Sequence, residues 1–253
     1  MAPNHAKITL YWLEKSRSQR IVWLLEELGV EYNLKTFQRN AEMLAPPELK
    51  QIHPLGKSPV ITVETDSMEK PLVIAESGNI TEYLCDHFGG DKLIPPRWKE
   101  GQEGTVGGET EEWTRYRYFM HYAEGSLMPF LVMQLVMDRM KDAPVPFFVK
   151  PIPRFVASKV EEAFLTRNIV GNFDFLEDQL KTAPKGGPYL CGPTLTAADI
   201  MMSFPVIAAS LRVPLGDQYP HLVQYVALLQ KEDGYQRAVK KVEEVDGKFE
   251  ASL

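Results

Sequence analysis

The chain contains little cysteine, no long apolar run and no excess of basic residues, and each shortage excludes a class of protein. Cys85 and Cys191 are the only cysteines and lie 106 positions apart, so there is no disulfide framework, zinc-finger spacing or C-x-x-C redox pair. The longest apolar stretch, residues 129–137, is interrupted by Gln134, and residues 1–7 lack the apolar core of a signal peptide. We therefore expect a cytoplasmic protein without a transmembrane segment.

Charge limits the possible partners. The 253 residues include 34 acidic and 28 basic side chains, which gives a net charge of -6, and the composition is that of an ordinary globular protein. Because such a protein repels a phosphate backbone on average, we expect no nucleic-acid partner.

Apolar periodicity predicts two domains. In residues 1–90 an amphipathic helix that ends at Gly29 lies between two β-prone runs, a spacing typical of a β-α-β unit with parallel strands. A short helix, a β-hairpin and a further helix follow. These predicted elements occupy residues 7–12, 21–28, 32–37, 46–52, 60–63, 72–75 and 76–88. The pattern predicts an α/β domain.

A different composition follows. Residues 91–110 are rich in Gly, Pro and charge, and we interpret them as a linker. Residues 111–253 show helical periodicity only, so the second domain is predicted to be an all-helical bundle. Its predicted helices span 111–141, 153–180, Thr196–Leu211, 220–229 and 234–245.

Three short segments carry residues suited to binding or catalysis. The first, Ser16-Arg17-Ser18-Gln19-Arg20, precedes the first helix, where its serines suit simple capping. The second, Gly56-Lys57-Ser58-Pro59-Val60, places a proline at the start of a strand, which by itself indicates only a turn before that strand. In the third, Glu76-Ser77-Gly78, a hydroxyl and free amides at a helix start suit a carboxylate, and Glu76 suits an ammonium group. The helix start and the Glu76 carboxylate together fit a zwitterionic ligand.

The chain resembles the glutathione transferase family, specifically its yeast-type fungal class. The matching words run through nearly the whole sequence in family order. They are Leu10-Tyr11-Trp12, Ser16-Arg17-Ser18-Gln19-Arg20, Pro46-Pro47-Glu48-Leu49, His53-Pro54-Leu55-Gly56-Lys57-Ser58-Pro59, Ala75-Glu76-Ser77 and Leu195-Thr196-Ala197-Ala198-Asp199-Ile200. The resemblance implies a thioredoxin-like first domain, glutathione as co-substrate with no tightly bound cofactor, and a homodimer.

The resemblance also implies the glutathione site. Pro59 would follow a cis peptide bond, and Ser58 would offer its backbone N–H and C=O to the cysteinyl part of glutathione. Glu76 and Ser77 would hold the γ-glutamyl ammonium and carboxylate, and Lys57 would approach the glycyl carboxylate. Other members have extra basic residues before the second helix, whereas this chain has Met43-Leu44-Ala45 there.

Two hydroxyls compete as the group that stabilises the glutathione thiolate. Ser16 precedes the first helix, whose N-terminus favours an anion, whereas Tyr11 occupies the strand-end position that tyrosine-type classes use. Ser16 is favoured by the helix argument, and both remain candidates at this point. The expected reaction is conjugation of glutathione to small apolar electrophiles, with glutathione-dependent peroxidase activity as a further possibility.

The electrophile pocket is harder to assign. The first long helix of the second domain carries an aromatic and methionine stripe, from which we select Tyr116 as a pocket residue, although such stripes more often form core. His121 and Glu124 have a metal-like spacing without a third ligand, so no metal site is expected. A non-catalytic glutathione-binding scaffold on the same fold is the alternative function. Thiol-disulfide exchange is disfavoured because the Ser16 segment has no cysteine.

Overall fold

A four-stranded mixed sheet forms the centre of the N-terminal domain. The computed structural model describes residues 6–210 and 215–250. Strand β1 (Lys7–Leu13) pairs in parallel with β2 (Tyr32–Phe37) and antiparallel with β3 (Val60–Glu64), which pairs antiparallel with β4 (Leu72–Ala75). The strand order is β2-β1-β3-β4. The predicted parallel pair and hairpin are confirmed.

Alternation along β1 separates the two faces of this sheet. Ile8, Leu10 and Trp12 pack into the large core shared with the helices, whereas Tyr11 and Leu13 pack on the opposite face. Three helices accompany the sheet: α1 (Gln19–Leu28), α2 (Leu49–Ile52) and α3 (Ser77–His87). Helix α1 ends at Gly29, whose φ of 68° is the left-handed conformation expected of a glycine cap. The chain therefore turns from the end of β1 into α1 through residues 14–18.

The segment predicted as a linker is ordered. Gly101, Gly104 and Gly107 have φ values of 73°, 73° and 79°, and a turn hydrogen bond closes each three-residue step from Lys99 to Gly108. A bridge between Trp98 and Glu109 joins the two ends of this loop. The glycines recur every third residue because each turn needs the left-handed conformation, a period that the search for helical and strand patterns does not detect.

Helices make up the C-terminal domain. Two long helices each contain a π-helical turn, at residues 123–127 and 161–165, and three further helices follow. The bounds are α4 (Glu111–Tyr122), α5 (Met128–Lys141), α6 (Pro151–Val160), α7 (Thr166–Lys181), α8 (Ala197–Ser210), α9 (Pro220–Lys231) and α10 (Asp233–Asp246). These agree with the predicted helices, except that Leu211, the predicted end of one helix, lies outside the described residues. Across the described ranges, every helix is too short or too polar to cross a lipid bilayer.

Helix α8 joins the two domains. All of its residues except Ser210 are buried, and it packs against α1, α3, α4 and α9. At its first turn the buried carboxylate of Asp199 accepts hydrogen bonds from the Leu190 and Thr196 N–H groups and from the Thr196 and Tyr225 hydroxyls. Burial raises the pKa of Asp199, and these hydrogen bonds oppose the rise. Asp199 therefore anchors the start of the central helix.

Candidate active site

Two adjoining cavities lie where β1 turns into α1. The Ser16 cavity, of about 220 Å³, is lined by Leu13, Lys15, Ser16, Arg17, Arg39, Met43, Ala45, Lys57, Ser58, Val132, Leu135, Arg139 and Phe204. The Glu76 cavity, of about 140 Å³, is lined by Arg17, His53, Leu55, Lys57, Ser58, Pro59, Ala75, Glu76, Ser77 and Glu124. Arg17, Lys57 and Ser58 border both. The structure thus brings the three predicted segments to one place.

Ser16 belongs to a compact hydroxyl network. Its side chain is buried and donates a hydrogen bond to the Leu13 carbonyl at 2.7 Å, and its Oγ lies 2.6 Å from the Oγ of Ser18. The Ser16 Oγ also accepts the Ser18 N–H at 3.2 Å. The hydroxyl is therefore held by three contacts at the border of the Ser16 cavity.

Ser18 is placed to replace Ser16 as the hydrogen-bond donor to the Leu13 carbonyl. The Ser18 hydroxyl lies 3.2 Å from the same Leu13 carbonyl that Ser16 uses, and its Oγ accepts the Leu13 N–H at 3.3 Å. If the Ser16 hydroxyl turns toward a ligand, the Ser18 hydroxyl can donate to the Leu13 carbonyl in its place, so no acceptor loses its partner. The sequence indicates that Ser18 is either a cap or a neighbour of Ser16; α1 begins without a side-chain cap from Ser18, whose hydroxyl instead contacts that of Ser16. Only the folded loop reveals this arrangement.

The Ser58–Pro59 segment has the geometry that the resemblance implied. The peptide bond between these residues is cis, which confirms that expectation. The Ser58 hydroxyl donates to the Tyr11 carbonyl at 2.8 Å, which fixes the segment to the end of β1. Ser58 borders both cavities, so it lies between the Ser16 cavity and the Glu76 cavity.

Glu76 adopts a conformation that is unusual for a side chain other than glycine. Its φ is 74° and its ψ is 124°, and such backbone strain costs on the order of 1–3 kcal/mol. This conformation directs the chain from β4 into α3, whose first residue is the buried Ser77. Glu76 and Ser77 both border the Glu76 cavity. The first N–H groups of a helix lack intrahelical partners, so this helix start together with an acidic residue suits a ligand that carries a carboxylate and an ammonium group.

An ion triad crosses the boundary between the two domains beside these cavities. Glu124 lies 2.9 Å from Arg17 Nε through one carboxylate oxygen and 2.9 Å from Arg20 Nη2 through the other. The contacts are ion pairs that lack straight hydrogen-bond alignment. The Arg20 side chain is fully buried, and burial lowers its pKa to about 10. Glu124 occupies a π-helical turn, a feature that recurs at functional sites.

Sequence reasoning missed this role of Glu124. Its spacing from His121 suggested only a metal-like pair, because a carboxylate that meets arginines from another domain gives no local signal. No group of three or more metal-binding side chains occurs within residues 6–210 and 215–250.

Arg39 fixes the loop that carries Ser16. Its guanidinium donates to the carbonyls of Glu14, Lys15 and Met43 at 3.2, 3.0 and 2.9 Å. The backbone N–H of Arg39 also donates to the Glu14 carboxylate at 2.8 Å. Arg39 therefore ties the end of β2 to both the Ser16 loop and Met43.

Tyr11, the alternative candidate for stabilising the thiolate, lies away from both cavities. Tyr11 packs on the sheet face away from α1, near Phe37 and with Lys35 Nζ 5.5 Å from its ring centre, and it lines neither cavity. Of the two candidate hydroxyls, Ser16 therefore borders one of these two cavities and Tyr11 borders neither.

The prediction that Tyr116 lines the electrophile pocket needs correction. Its ring is 3% exposed and stacks on Trp113 in the core, so it borders neither cavity. The stripe to which it belongs packs inward, as amphipathic stripes usually do.

The wall of the Ser16 cavity comes from α5 and α8 instead. Val132, Leu135 and Arg139 follow one another at spacings of three and four residues, which places them on one face of α5, and Phe204 faces them from α8. The spacing of these α5 residues was available in the sequence, but it did not indicate which face lies opposite Ser16.

Comparison with known proteins agrees with this geometry. The family model described as "Glutathione S-transferase, N-terminal domain" matches residues 16–87, and "Glutathione S-transferase, C-terminal domain" matches residues 147–236. Glutathione S-transferase 1 of Saccharomyces cerevisiae is 31% identical over 243 residues, which are 96% of this chain and 98% of that protein. Glutathione S-transferase 3 of Schizosaccharomyces pombe is 30% identical over 94% of this chain and 88% of its own length.

Solved structures support the same conclusion. A glutathione S-transferase from Actinobacillus pleuropneumoniae has a TM-score of 0.68 and 27% identity, and the match covers 93% of each chain. A glutathione transferase homolog from Lodderomyces elongisporus, solved with two GSH per subunit, has a TM-score of 0.67 at 18% identity over 94% of this chain and 98% of that one, a likeness of fold. The chain belongs to the glutathione S-transferase family and is a glutathione transferase with a thioredoxin-like N-terminal domain and a helical C-terminal domain.

Proposed function

We propose that the two cavities bind glutathione with its sulfur beside Ser16. The γ-glutamyl end lies in the Glu76 cavity, where Glu76 pairs with the ammonium group, and the Ser77 hydroxyl and the backbone N–H groups at the start of α3 donate to the carboxylate. The cysteinyl part pairs with the backbone of Ser58 as an added strand would. Lys57 approaches the glycyl carboxylate, because it borders both cavities. The observation that carries the proposal is that Ser16 and Glu76 border two cavities joined at Ser58.

Ser16 stabilises the thiolate of the bound glutathione. Attack on an electrophile requires the thiolate, and lowering a thiol pKa from about 8.5 to about 6.5 takes roughly 2.7 kcal/mol. A hydrogen bond from a hydroxyl to an anion supplies about 1.5–3 kcal/mol. The N-terminus of α1 adds about 0.3–1 kcal/mol. The Ser16 hydroxyl and α1 together supply enough free energy without a general base.

The reaction is substitution or addition at an electrophilic carbon. The thiolate forms the new carbon–sulfur bond with its electron pair, and in a substitution the leaving group departs with the pair of the bond that breaks. Val132, Leu135 and Phe204 offer apolar surface opposite Ser16, which supports small apolar electrophiles as acceptors. Detoxification of such compounds and reduction of organic hydroperoxides are the biological roles we propose. A non-catalytic scaffold is not favoured, because two relatives that match nearly the whole chain are named glutathione S-transferases.

We also propose a cytoplasmic homodimer. Both cysteines are free and buried, which fits a reducing compartment. Phe147, Phe148, Ile152 and Phe155 are between 64% and 83% exposed at the start of α6, an apolar surface that a second copy of the chain would cover. Light scattering of the purified protein tests the dimer: a mass near 57 kDa supports it, and a mass near 29 kDa contradicts it.

Steady-state kinetics test the function. The protein is assayed with glutathione and 1-chloro-2,4-dinitrobenzene, and separately with cumene hydroperoxide, while calorimetry measures glutathione binding. We expect saturable conjugation, together with loss of glutathione affinity in Glu76→Gln and of kcat in Ser16→Ala. Glutathione binding without turnover of any acceptor would contradict the catalytic proposal, and absence of binding would contradict the site.

A further inference from the structure

The Ser16 cavity is strongly basic although the chain as a whole is acidic. Five cationic side chains line it, and none of its lining residues that the structure describes is acidic. The five are Lys15, Arg17, Arg39, Lys57 and Arg139. Because the net charge of the chain is -6, this local excess is not a consequence of the overall composition. Binding of neutral apolar molecules alone does not require such an excess of positive charge.

Three of these cations already have partners. Lys15 pairs with Glu250 at 2.8 Å, and Arg17 pairs with Glu124. Arg39 gives its guanidinium N–H groups to backbone carbonyls. By contrast, Lys57 and Arg139 form no hydrogen bond or ion pair with any part of the chain that the structure describes, and both are exposed. Two cations therefore remain available to a bound molecule.

Arg139 lines this cavity together with a second guanidinium group, that of Arg39. After burial, the charge of Arg139 is the next largest cause of the lowered pKa of Arg39. The guanidinium hydrogen bonds of Arg39 go to neutral carbonyls, and the charge of Glu14 opposes only part of the lowering of its pKa. Two like charges beside one cavity favour a ligand that brings a negative charge between them.

The positions of Lys57 and Arg139 suggest that they bind different anionic groups, one on glutathione and one on the acceptor. Lys57 borders both cavities, as expected for a contact with the glycyl carboxylate of glutathione. Of the two cavities, Arg139 borders only the Ser16 cavity. It lies on the same face of α5 as Val132 and Leu135, opposite Phe204. The surroundings of Arg139 are therefore those of the acceptor.

We propose that the preferred acceptor is an apolar electrophile that carries a carboxylate, and that Arg139 is the specificity residue that binds this carboxylate. This inference rests on the proposed function and names the substrate class of the same site. The apolar body lies against Val132, Leu135 and Phe204, which brings its electrophilic carbon toward the sulfur beside Ser16. In an aromatic substitution the thiolate forms the carbon–sulfur bond and chloride leaves with the carbon–chlorine electron pair, while the carboxylate takes no part in the chemistry.

A matched pair of acceptors tests the proposal. The purified full-length protein is assayed with glutathione and either 4-chloro-3,5-dinitrobenzoate or its methyl ester, and each kcat/KM is divided by the uncatalysed rate constant for that acceptor. We expect the carboxylate to be preferred by about fivefold to tenfold, as for a charge-assisted contact at a partly exposed site. The preference should decrease as ionic strength rises from 0.05 to 0.5 M.

Two variants locate the effect. Arg139→Gln should bring the ratio close to one, whereas Arg167→Gln, which removes an exposed guanidinium from α7 outside both cavities, should retain the wild-type ratio. Calorimetric binding of the two glutathione conjugates provides the same comparison without turnover. Circular dichroism checks that both variants fold.

The outcomes separate this inference from the proposed function. Equal turnover of the two acceptors by the wild type, or a preference that survives Arg139→Gln, overturns the role of Arg139 while conjugation stands. A rise in KM for glutathione in Arg139→Gln that matches the loss of preference assigns Arg139 to the glycyl carboxylate and also overturns the inference. Turnover of neither acceptor, with no binding of either conjugate, contradicts the proposed function itself.

Discussion

Replacement of Ser16 by alanine should raise the pKa of the glutathione thiol in the bound complex. The Ser16 Oγ borders the cavity and is the hydroxyl that we place beside the sulfur. In the free protein it donates to the Leu13 carbonyl, so a bond to sulfur requires a rotation of the hydroxyl. The Ser18 hydroxyl, 3.2 Å from that carbonyl, compensates for the lost bond. The cost of the rotation is therefore small.

The size of the effect follows from these contacts. A hydroxyl donating to an anion contributes about 1.5–3 kcal/mol, which corresponds to roughly 1–2 pKa units at 1.36 kcal/mol per unit. From a wild-type value near 6.5, Ser16→Ala should give a thiol pKa of about 7.5–8.5. Near pH 6.5 the thiolate population, and with it kcat, should decrease by about fivefold to fiftyfold. Ser18→Ala removes the compensating donor, together with the contacts that Ser18 Oγ makes with the Leu13 N–H and Ser16 Oγ, and should raise the pKa by a smaller amount.

Ultraviolet difference titration of the thiolate in the saturated complex measures this pKa directly. The matched control is Ser203→Ala, because the Ser203 hydroxyl is also buried and donates to a backbone carbonyl, that of Ile200, but lines neither cavity. The control should titrate like the wild type. If Ser16→Ala also titrates like the wild type while Tyr11→Phe shifts upward, the assignment of the thiolate-stabilising hydroxyl is wrong.

Three further predictions concern the groups around the site. Glu124→Gln leaves the buried Arg20 charge without its partner and should lower the free energy of unfolding by about 2 kcal/mol. This loss is smaller than that expected for a fully buried ion pair, because Glu124 is partly exposed. A urea titration that matches the wild type would refute this prediction. Burial raises the pKa of Cys85 to about 12 and also raises the pKa of Cys191. An aromatic disulfide reagent at pH 8 should therefore label neither thiol in the native protein and both thiols in urea. Rapid labelling of the native protein would contradict the burial of these cysteines. Asp199→Ala removes four hydrogen bonds from the start of α8 and should lower Tm by several degrees, and an unchanged Tm would show that Asp199 is not an anchor.

The fold was largely predictable from the sequence because its signals are local. The parallel strands on either side of α1, the hairpin and the long helices follow from apolar periodicity, and Gly29 ends α1 as expected. The turns within the predicted linker, residues 91–110, were not predictable in the same way, since their three-residue glycine period belongs to neither helix nor strand.

The candidate site was predictable only in part. Ser16, Ser58 and Glu76 belong to short motifs, and the chain brings those motifs together as the resemblance implied. Glu124 and Arg139 lie on helices of the other domain, and nothing in their own segments shows which part of the N-terminal domain they face. Tyr116 shows the converse error, in which a residue of suitable chemistry packs in the core instead.

A crystal structure of the glutathione complex tests the central claim most directly through the distance from the glutathione sulfur to the nearest hydroxyl. We predict that the sulfur lies within about 3.5 Å of Ser16 Oγ, with the γ-glutamyl end beside Glu76. A sulfur that contacts Tyr11, or that points away from every hydroxyl while glutathione occupies both cavities, would contradict the account.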